Sequence, residues 1–152
     1  VVLVNPEMAV LAEGMRTNTA AVDQVEWALR QVGYEQIVRV QLPYGTVHLD
    51  GVLSVVDRDL AMIRFRETPL AAVEALRDRG FRIIEVSFEE RHMPENVVAL
   101  APGHLVMPAG NPRTQRMLED AGCTIVEIEM RELQKSGGAM HCATGFLKRD
   151  DP

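Results

Sequence analysis

Three times along this chain a helical pattern of apolar residues stops at a glycine and an apolar strand begins directly afterwards. The glycines are Gly33, Gly80 and Gly122, spaced 47 and 42 residues apart, and the segments 28–42, 75–88 and 117–130 around them can be laid over one another. Similarity at such a period marks units that are each too small to bury their own apolar face and must pack on a neighbour. The unit predicted is β-β-α-β, which makes the expected fold class α/β. In a ring of such units the equivalent loops, 43–51, 88–96 and 130–142, converge on the axis.

Segment 1–4 reads as a strand and is followed by a loop containing Pro6 and Gly14. Thr17 or Asn18 is placed to cap a helix with Val22, Val25, Leu29 and Val32 on one face. Strand 36–42 comes next, then the loop Pro43-Tyr44-Gly45-Thr46 and a hairpin of strands 52–56 and 60–65 turning at Asp57-Arg58-Asp59. In the second round Thr68 is the expected cap, Pro69 opens the helix, Leu70, Val73 and Leu76 line its face, and strand 81–86 follows Gly80. In the third, strands 97–100 and 104–107 turn at Pro102-Gly103. Asn111 then caps a helix opened by Pro112, with Met117, Leu118 and Ala121 as its apolar face, before strand 123–128. The loop 129–142 leads into a final strand over 143–148.

Of the 152 residues 47% are hydrophobic and 25% charged, enough apolar material for one sizeable core. The net charge of −6 is spread without a basic run and only 5% of residues are aromatic, so nucleic acid is not an expected partner. The apolar runs are too short to span a bilayer and no charged-then-apolar leader is present, so no membrane association and a cytoplasmic location are expected. Cys123 and Cys142 make no disulfide framework, and His48, His92, His104 and His141 lack the paired spacings of a zinc site. Neither a metal nor a cofactor is expected. A strand-like run already under way at Val1 suggests a chain that begins inside a larger protein.

The chemistry-bearing residues fall in two of the three equivalent loops. In Ser136-Gly137-Gly138-Ala139-Met140-His141-Cys142-Ala143-Thr144, the paired glycines let the backbone turn sharply and approach a ligand, and the strand expected after Cys142 fixes the direction of its thiol. An isolated cysteine also reads as an inert core thiol. A nucleophilic thiol needs a cation or base beside it, and His48, 94 residues away but on an equivalent loop, is the candidate; its other reading is a hydrogen-bonded loop histidine. Asp50 projects to the same side as His48 if the segment is extended, and its carboxylate suits the planar fork of a guanidinium; it reads equally as a turn aspartate bonding its own backbone. His141 points to the opposite face of the expected strand and is read as structural. Asp57, Arg58 and Asp59 read as a solvated turn.

The pairing of His48-Leu49-Asp50 before a hydrophobic hairpin with Gly137-Gly138-Ala139-Met140-His141-Cys142-Ala143-Thr144 resembles the superfamily of amidinotransferases, arginine deiminases and dimethylarginine dimethylaminohydrolases. Arg16-Thr17-Asn18 at a helix start and Asn96 entering a strand also match its usual pattern, and the resemblance covers nearly the whole chain. It implies the pentein fold, a five-bladed α/β propeller of ββαβ units, of which about three are present here: roughly 1–42, 47–88 and 96–130, with 143–148 as a closing strand. Residues 1–152 would form the C-terminal part of a single catalytic domain. By the resemblance Cys142 attacks the guanidino carbon, His48 is the general acid and base, and Asp50, Gly138 and Asn96 bind substrate, without metal or cofactor. The family's earlier carboxylate that orients the histidine and its further acidic substrate holder lie on preceding blades, and Glu7 and Glu13 are too near the start to take those roles.

The function implied is hydrolysis of the guanidino group of arginine, methylated arginine or a related compound. It runs through a covalent Cys-amidino intermediate and yields a citrulline-type product with ammonia or an amine. The alternative is an amidinotransferase that passes the amidino group to an acceptor amine, and the intact Cys142, His48 and Asp50 argue against a binding module that has lost catalysis. His-Leu-Asp leans toward deiminase or amidinotransferase types, since a lysine is common at the position of Asp50 in some dimethylarginine hydrolases. His141 before the cysteine is similar to amidinotransferases and agmatine deiminases. Five units of this size need roughly 210 to 240 residues. Expected partners are therefore a small guanidino substrate and, to complete the ring, missing N-terminal blades, a partner chain or a second copy; alone, the chain is expected to be inactive or nearly so and to associate.

Overall fold

The computed structural model describes residues 1–147. Strands β1 (Val2–Leu3), β2 (Met8–Glu13) and β3 (Gln36–Gln41) form the first sheet around helix α1 (Thr19–Gln31). Strands β4 (Leu53–Asp57), β5 (Leu60–Ile63) and β6 (Arg82–Glu85) form the second with α2 (Leu70–Asp78). Strands β7 (Val98–Ala101), β8 (His104–Pro108) and β9 (Thr124–Ile128) form the third with α3 (Pro112–Asp120), and a short α4 (Arg131–Gln134) follows. In each sheet the first two strands pair antiparallel and the helix crosses over to a third strand parallel to the second. The repeat expected from the sequence is thus a ββαβ unit occurring three times.

Gly33, Gly80 and Gly122 stop the three helices in the same way. Each has a left-handed backbone, with φ of +104°, +79° and +100°. The N–H of the next residue reaches back to the helix, Tyr34 to Leu29 O, Phe81 to Leu76 O and Cys123 to Leu118 O, at 3.1, 3.0 and 2.9 Å. This is the Schellman arrangement, which favours glycine because a Cβ is strained at such a φ.

The packing explains why one unit does not suffice. One core joins Met8, Val10, Val40 and Leu42 of the first unit to Leu53, Ile63, Val73 and Leu76 of the second. Another joins Val56, Leu60, Met62 and Ile84 of the second to Leu105, Met107 and Leu118 of the third. Each of the first two sheets therefore buries a face against the helix and sheet of the next unit. The middle strands lie inside on both faces, and β2, which the sequence reading took as part of a loop, is one of them. Its Met8-Ala9-Val10-Leu11 run is buried throughout and lacks the polar alternation that marks a half-exposed strand.

One of the two caps expected for α1 serves, while those expected for α2 and α3 are overridden by partners remote in sequence. Asn18, and not Thr17, caps α1, accepting from the Ala21 N–H at 2.9 Å. The Thr68 hydroxyl does not cap α2; it donates to Val52 O and Arg64 O at 2.8 and 3.0 Å. Asn111 donates its amide to His92 O and Pro108 O, while the N–H groups of Arg113 and Thr114 are taken by the Glu90 carboxylate at 2.7 and 3.1 Å. Of the face predicted for α1, Val22 is buried and Val25 and Leu29 are partly so, while Val32, just past the helix end, is 73% exposed; Trp27, off that face, is 67% exposed. Among the described residues the closing strand expected from 143 is not found, because Ala143 belongs to the 3-10 turn His141–Ala143; 148 lies outside the described residues. Among the described residues no helix is long and apolar enough to cross a membrane.

Gly80 tests the helix stop cleanly, since nothing lies within 4 Å of a Cβ added there and the cost is conformational alone. Gly80→Ala is expected to destabilise the fold by about 1–2 kcal/mol in urea unfolding, and Gly80→Asn by less. Equal stability of all three proteins would contradict the left-handed stop.

Candidate active site

The loops after β3, β6 and β9 meet, and short buried anchors fix each of them. Asp50 lies in a 3-10 turn, Leu49–Gly51, held down by the buried Leu49 and Val52. This turn replaces the extended segment expected from the sequence, so His48 and Asp50 are not related by strand alternation. Asn96 is fully buried in the run from Pro94 to Val98 that leads into β7. Cys142 lies in the 3-10 turn His141–Ala143, anchored by the buried Ala139, and its thiol is free and exposed. A Cβ at Gly138 would come within 3.0 Å of the Cys142 Cβ, so a side chain at that position would push the cysteine away.

Asn96 uses both ends of its amide on this turn. Its Oδ1 accepts from the N–H groups of His141 and Cys142 at 2.9 and 3.3 Å, and its Nδ2 donates to Cys142 Sγ at 3.2 Å. A hydrogen bond donated to sulfur favours the ionised thiolate, the form that attacks carbon. Cys123, just before β9, is buried away from these loops, and burial pushes its thiol up from the ordinary range, with Asp57 adding to the shift.

Asp50 meets His141, its Oδ2 lying 3.0 Å from Nδ1 of the ring. That contact holds the Asp50 carboxyl below its ordinary range against partial burial, and His48 acts in the same direction more weakly. An ionised carboxylate only accepts, so Nδ1 carries the proton. The sequence reading set His141 aside as facing away from the site. In a 3-10 turn successive side chains diverge by about 120° and not 180°, which lets His141 reach Asp50 while Cys142 reaches Asn96. His48 is exposed and shares a small cleft of about 50 Å³ with Asp50, Leu42 and Thr17. Among the described residues it makes no hydrogen bond to Cys142, and no three His, Cys, Asp or Glu side chains gather as a metal site.

The Asp50–His141 tie has a definite pH signature. A carboxyl with a lowered pKa stabilises the fold fully above the ordinary carboxylate range, and that contribution is lost as the pH falls through the lowered value. The pair is partly exposed, so its worth is at most about 1 kcal/mol. In urea unfolding, Asp50→Asn is expected to be less stable than the parent at pH 5, with the difference closing as the pH falls below the ordinary carboxylate range. A difference that persists unchanged at the acid end would contradict the assignment.

A family model described as N,N dimethylarginine dimethylhydrolase, eukaryotic, matches residues 2–148. The chain is 28% identical over 151 residues to the uncharacterized protein YkgA of Bacillus subtilis (strain 168), covering 99% of this chain and 51% of that one. Among solved structures, a cysteine-to-serine mutant of DDAH from Pseudomonas aeruginosa complexed with citrulline is 25% identical with a TM-score of 0.70, over 87% of this chain and 48% of that one. SxtG, an amidinotransferase from Microseira wollei, matches in fold with a TM-score of 0.75 at 14% identity, over 94% of this chain and 45% of that one. The chain spans about half the length of these relatives. Three consecutive ββαβ units with converging loops, together with these likenesses, place the chain in the pentein superfamily, and it belongs to the N,N dimethylarginine dimethylhydrolase family.

Proposed function

We propose that this chain carries the nucleophile and part of the substrate-binding machinery of a guanidino-group hydrolase. The observation that carries the reading is the exposed Cys142 thiol with an Asn96 N–H donated to its sulfur, on the same turn that ties to Asp50 through His141. The Cys142 thiolate attacks the guanidino carbon and forms a C–S bond. His48 protonates the departing amine or ammonia as its C–N bond breaks, leaving an amidino-thioether. His48 then takes a proton from water, the hydroxide adds to the same carbon, and the C–S bond breaks to release a citrulline-type product and the thiolate. Asp50, kept ionised, holds the guanidinium by charge-assisted hydrogen bonds.

Supply of the remaining acidic groups falls to further blades, either of the same polypeptide or of a partner. The exposed apolar Trp27 of α1 and Val32 at its C-cap, and Val126 and Ile128 of β9, lie on the first and last units, where such blades would pack. An amidinotransferase would share the first half-reaction and deliver the amidino group to an amine instead of water, so the assay includes both acceptors.

The full-length protein is to be incubated with arginine, methylated arginines and agmatine, with and without acceptor amines, and the products identified by mass. Cys142→Ser is expected to fold normally and to abolish turnover, because a serine hydroxyl is scarcely ionised at neutral pH. A chloroacetamidine-type reagent should label Cys142 and spare the buried Cys123; the reverse pattern would remove Cys142 from the mechanism.

A further inference from the structure

Asn96 is itself held from behind. The preceding residue, Glu95, is 2% exposed, and its Oε2 lies 2.9 Å from Nη2 of the largely buried Arg64. The Glu95 carbonyl accepts from the Ser54 hydroxyl on β4, and the Asn96 N–H closes a turn onto Met93 O at 3.0 Å. Met93 takes a φ of +50°, an uncommon conformation for a residue with a side chain, so surrounding contacts impose this turn.

Arg64 is as closely tied at its other end. It follows β5, and its N–H donates to Val52 O at 2.9 Å, the same carbonyl that accepts from the Thr68 hydroxyl. The Val52 N–H in turn closes the Asp50 turn by bonding Leu49 O at 3.0 Å. One ion pair therefore links the turn that carries Asp50, in the second unit, to the loop that carries Asn96, at the entry to the third.

Stability does not account for such a pair. Burial pushes the Glu95 carboxyl above its ordinary range; Arg64 opposes that shift and Glu67 adds a weaker like-charge push. Two charges taken out of water are commonly no more stabilising than apolar residues of the same volume. What the pair supplies that apolar packing does not is a specific charge contact, Arg64 Nη2 against Glu95 Oε2, between two backbone points that are themselves held by hydrogen bonds.

We propose that the Glu95–Arg64 pair is a positioning device for Cys142, acting through Asn96, whose N–H it keeps on the sulfur and whose carbonyl it keeps on the His141–Cys142 backbone. The proposal rests on Cys142 being the nucleophile. Glu95 and Arg64 touch neither substrate nor thiol; they set where Asn96 stands, and so how readily the thiol ionises and where it aims.

The test compares the full-length parent with the double variant Glu95→Gln/Arg64→Met, which leaves no orphaned charge in the interior, and with Arg64→Lys, which keeps the charge and loses the Nη2 that meets Glu95. The readout is the rate at which chloroacetamidine alkylates Cys142, thiolate displacing chloride, followed against pH and assigned by mass, beside thermal unfolding. The double variant is expected to unfold within a few degrees of the parent. Its Cys142 is expected to react about tenfold more slowly at neutral pH, with the midpoint of the pH profile about one unit higher. Arg64→Lys should fall between the two. A folded double variant with the parent's pH profile would reduce the pair to a structural role and overturn the proposal. If the double variant does not fold, Arg64→Lys decides, since an unchanged rate and midpoint there overturn it equally. Labelling of Cys123 instead of Cys142 in the parent would overturn the nucleophile reading and the proposal with it, whereas parent labelling at Cys142 with unaltered variants sinks the positioning role alone.

Discussion

No sheet in this molecule covers its own apolar face, and the architecture follows from that. Val40 of the first sheet and Leu42 just past it share a core with Val73 and Leu76 of α2, and Ile84 of the second sheet and Val86 just past it share one with Leu105, Met107 and Leu118 of the third unit. Hydrophobic contact of this kind is strong but undirected. It stacks the units side by side and brings their loops to one end, without specifying atomic positions there. Direction comes from polar contacts between units: Asp50 to His141, Asn96 to the cysteine turn, and Glu95 to Arg64. The candidate site is thus a product of the seams between units, and none of the three units contains it alone.

What could be read from the sequence was what local physics decides. Gly33, Gly80 and Gly122 were legible because a helix stop with a left-handed residue needs nothing beyond a few neighbours. The hairpin turns at Asp57-Arg58-Asp59 and Pro102-Gly103 were legible for the same reason, and with them the ββαβ period. The Gly138–Cys142 stretch and Asn96 were legible as motif. Their mutual hydrogen bonds were not, since they join residues 46 apart.

The misreadings share one cause, a partner distant in sequence that overrides a local preference. Thr68 and Asn111 are good caps in isolation, but Thr68 faces the carbonyls of Val52 and Arg64, and the start of α3 is taken by Glu90 from the preceding loop. β2 was hidden because burial on both faces removes the alternation by which strands are recognised. Treating Cys142 as the first residue of a strand sent His141 to the wrong side; a single 3-10 turn returns it to Asp50.

That correction bears on how a cationic guest would be met. A carboxylate partly shielded from water is driven toward its neutral form, in which it attracts a guanidinium far less. The contact with His141 reverses that drift and keeps Asp50 charged, and it leaves Oδ2 already engaged by a ring N–H. A guanidinium brought to Asp50 must then bind the remaining lone pairs beside His141 or take its place, and the 3-10 turn couples either event to the residue next in line, Cys142. Substrate binding and nucleophile geometry would be joined through one backbone step, with Asn96 accepting from both N–H groups of that step and resisting any displacement that would carry the thiol off its line of attack.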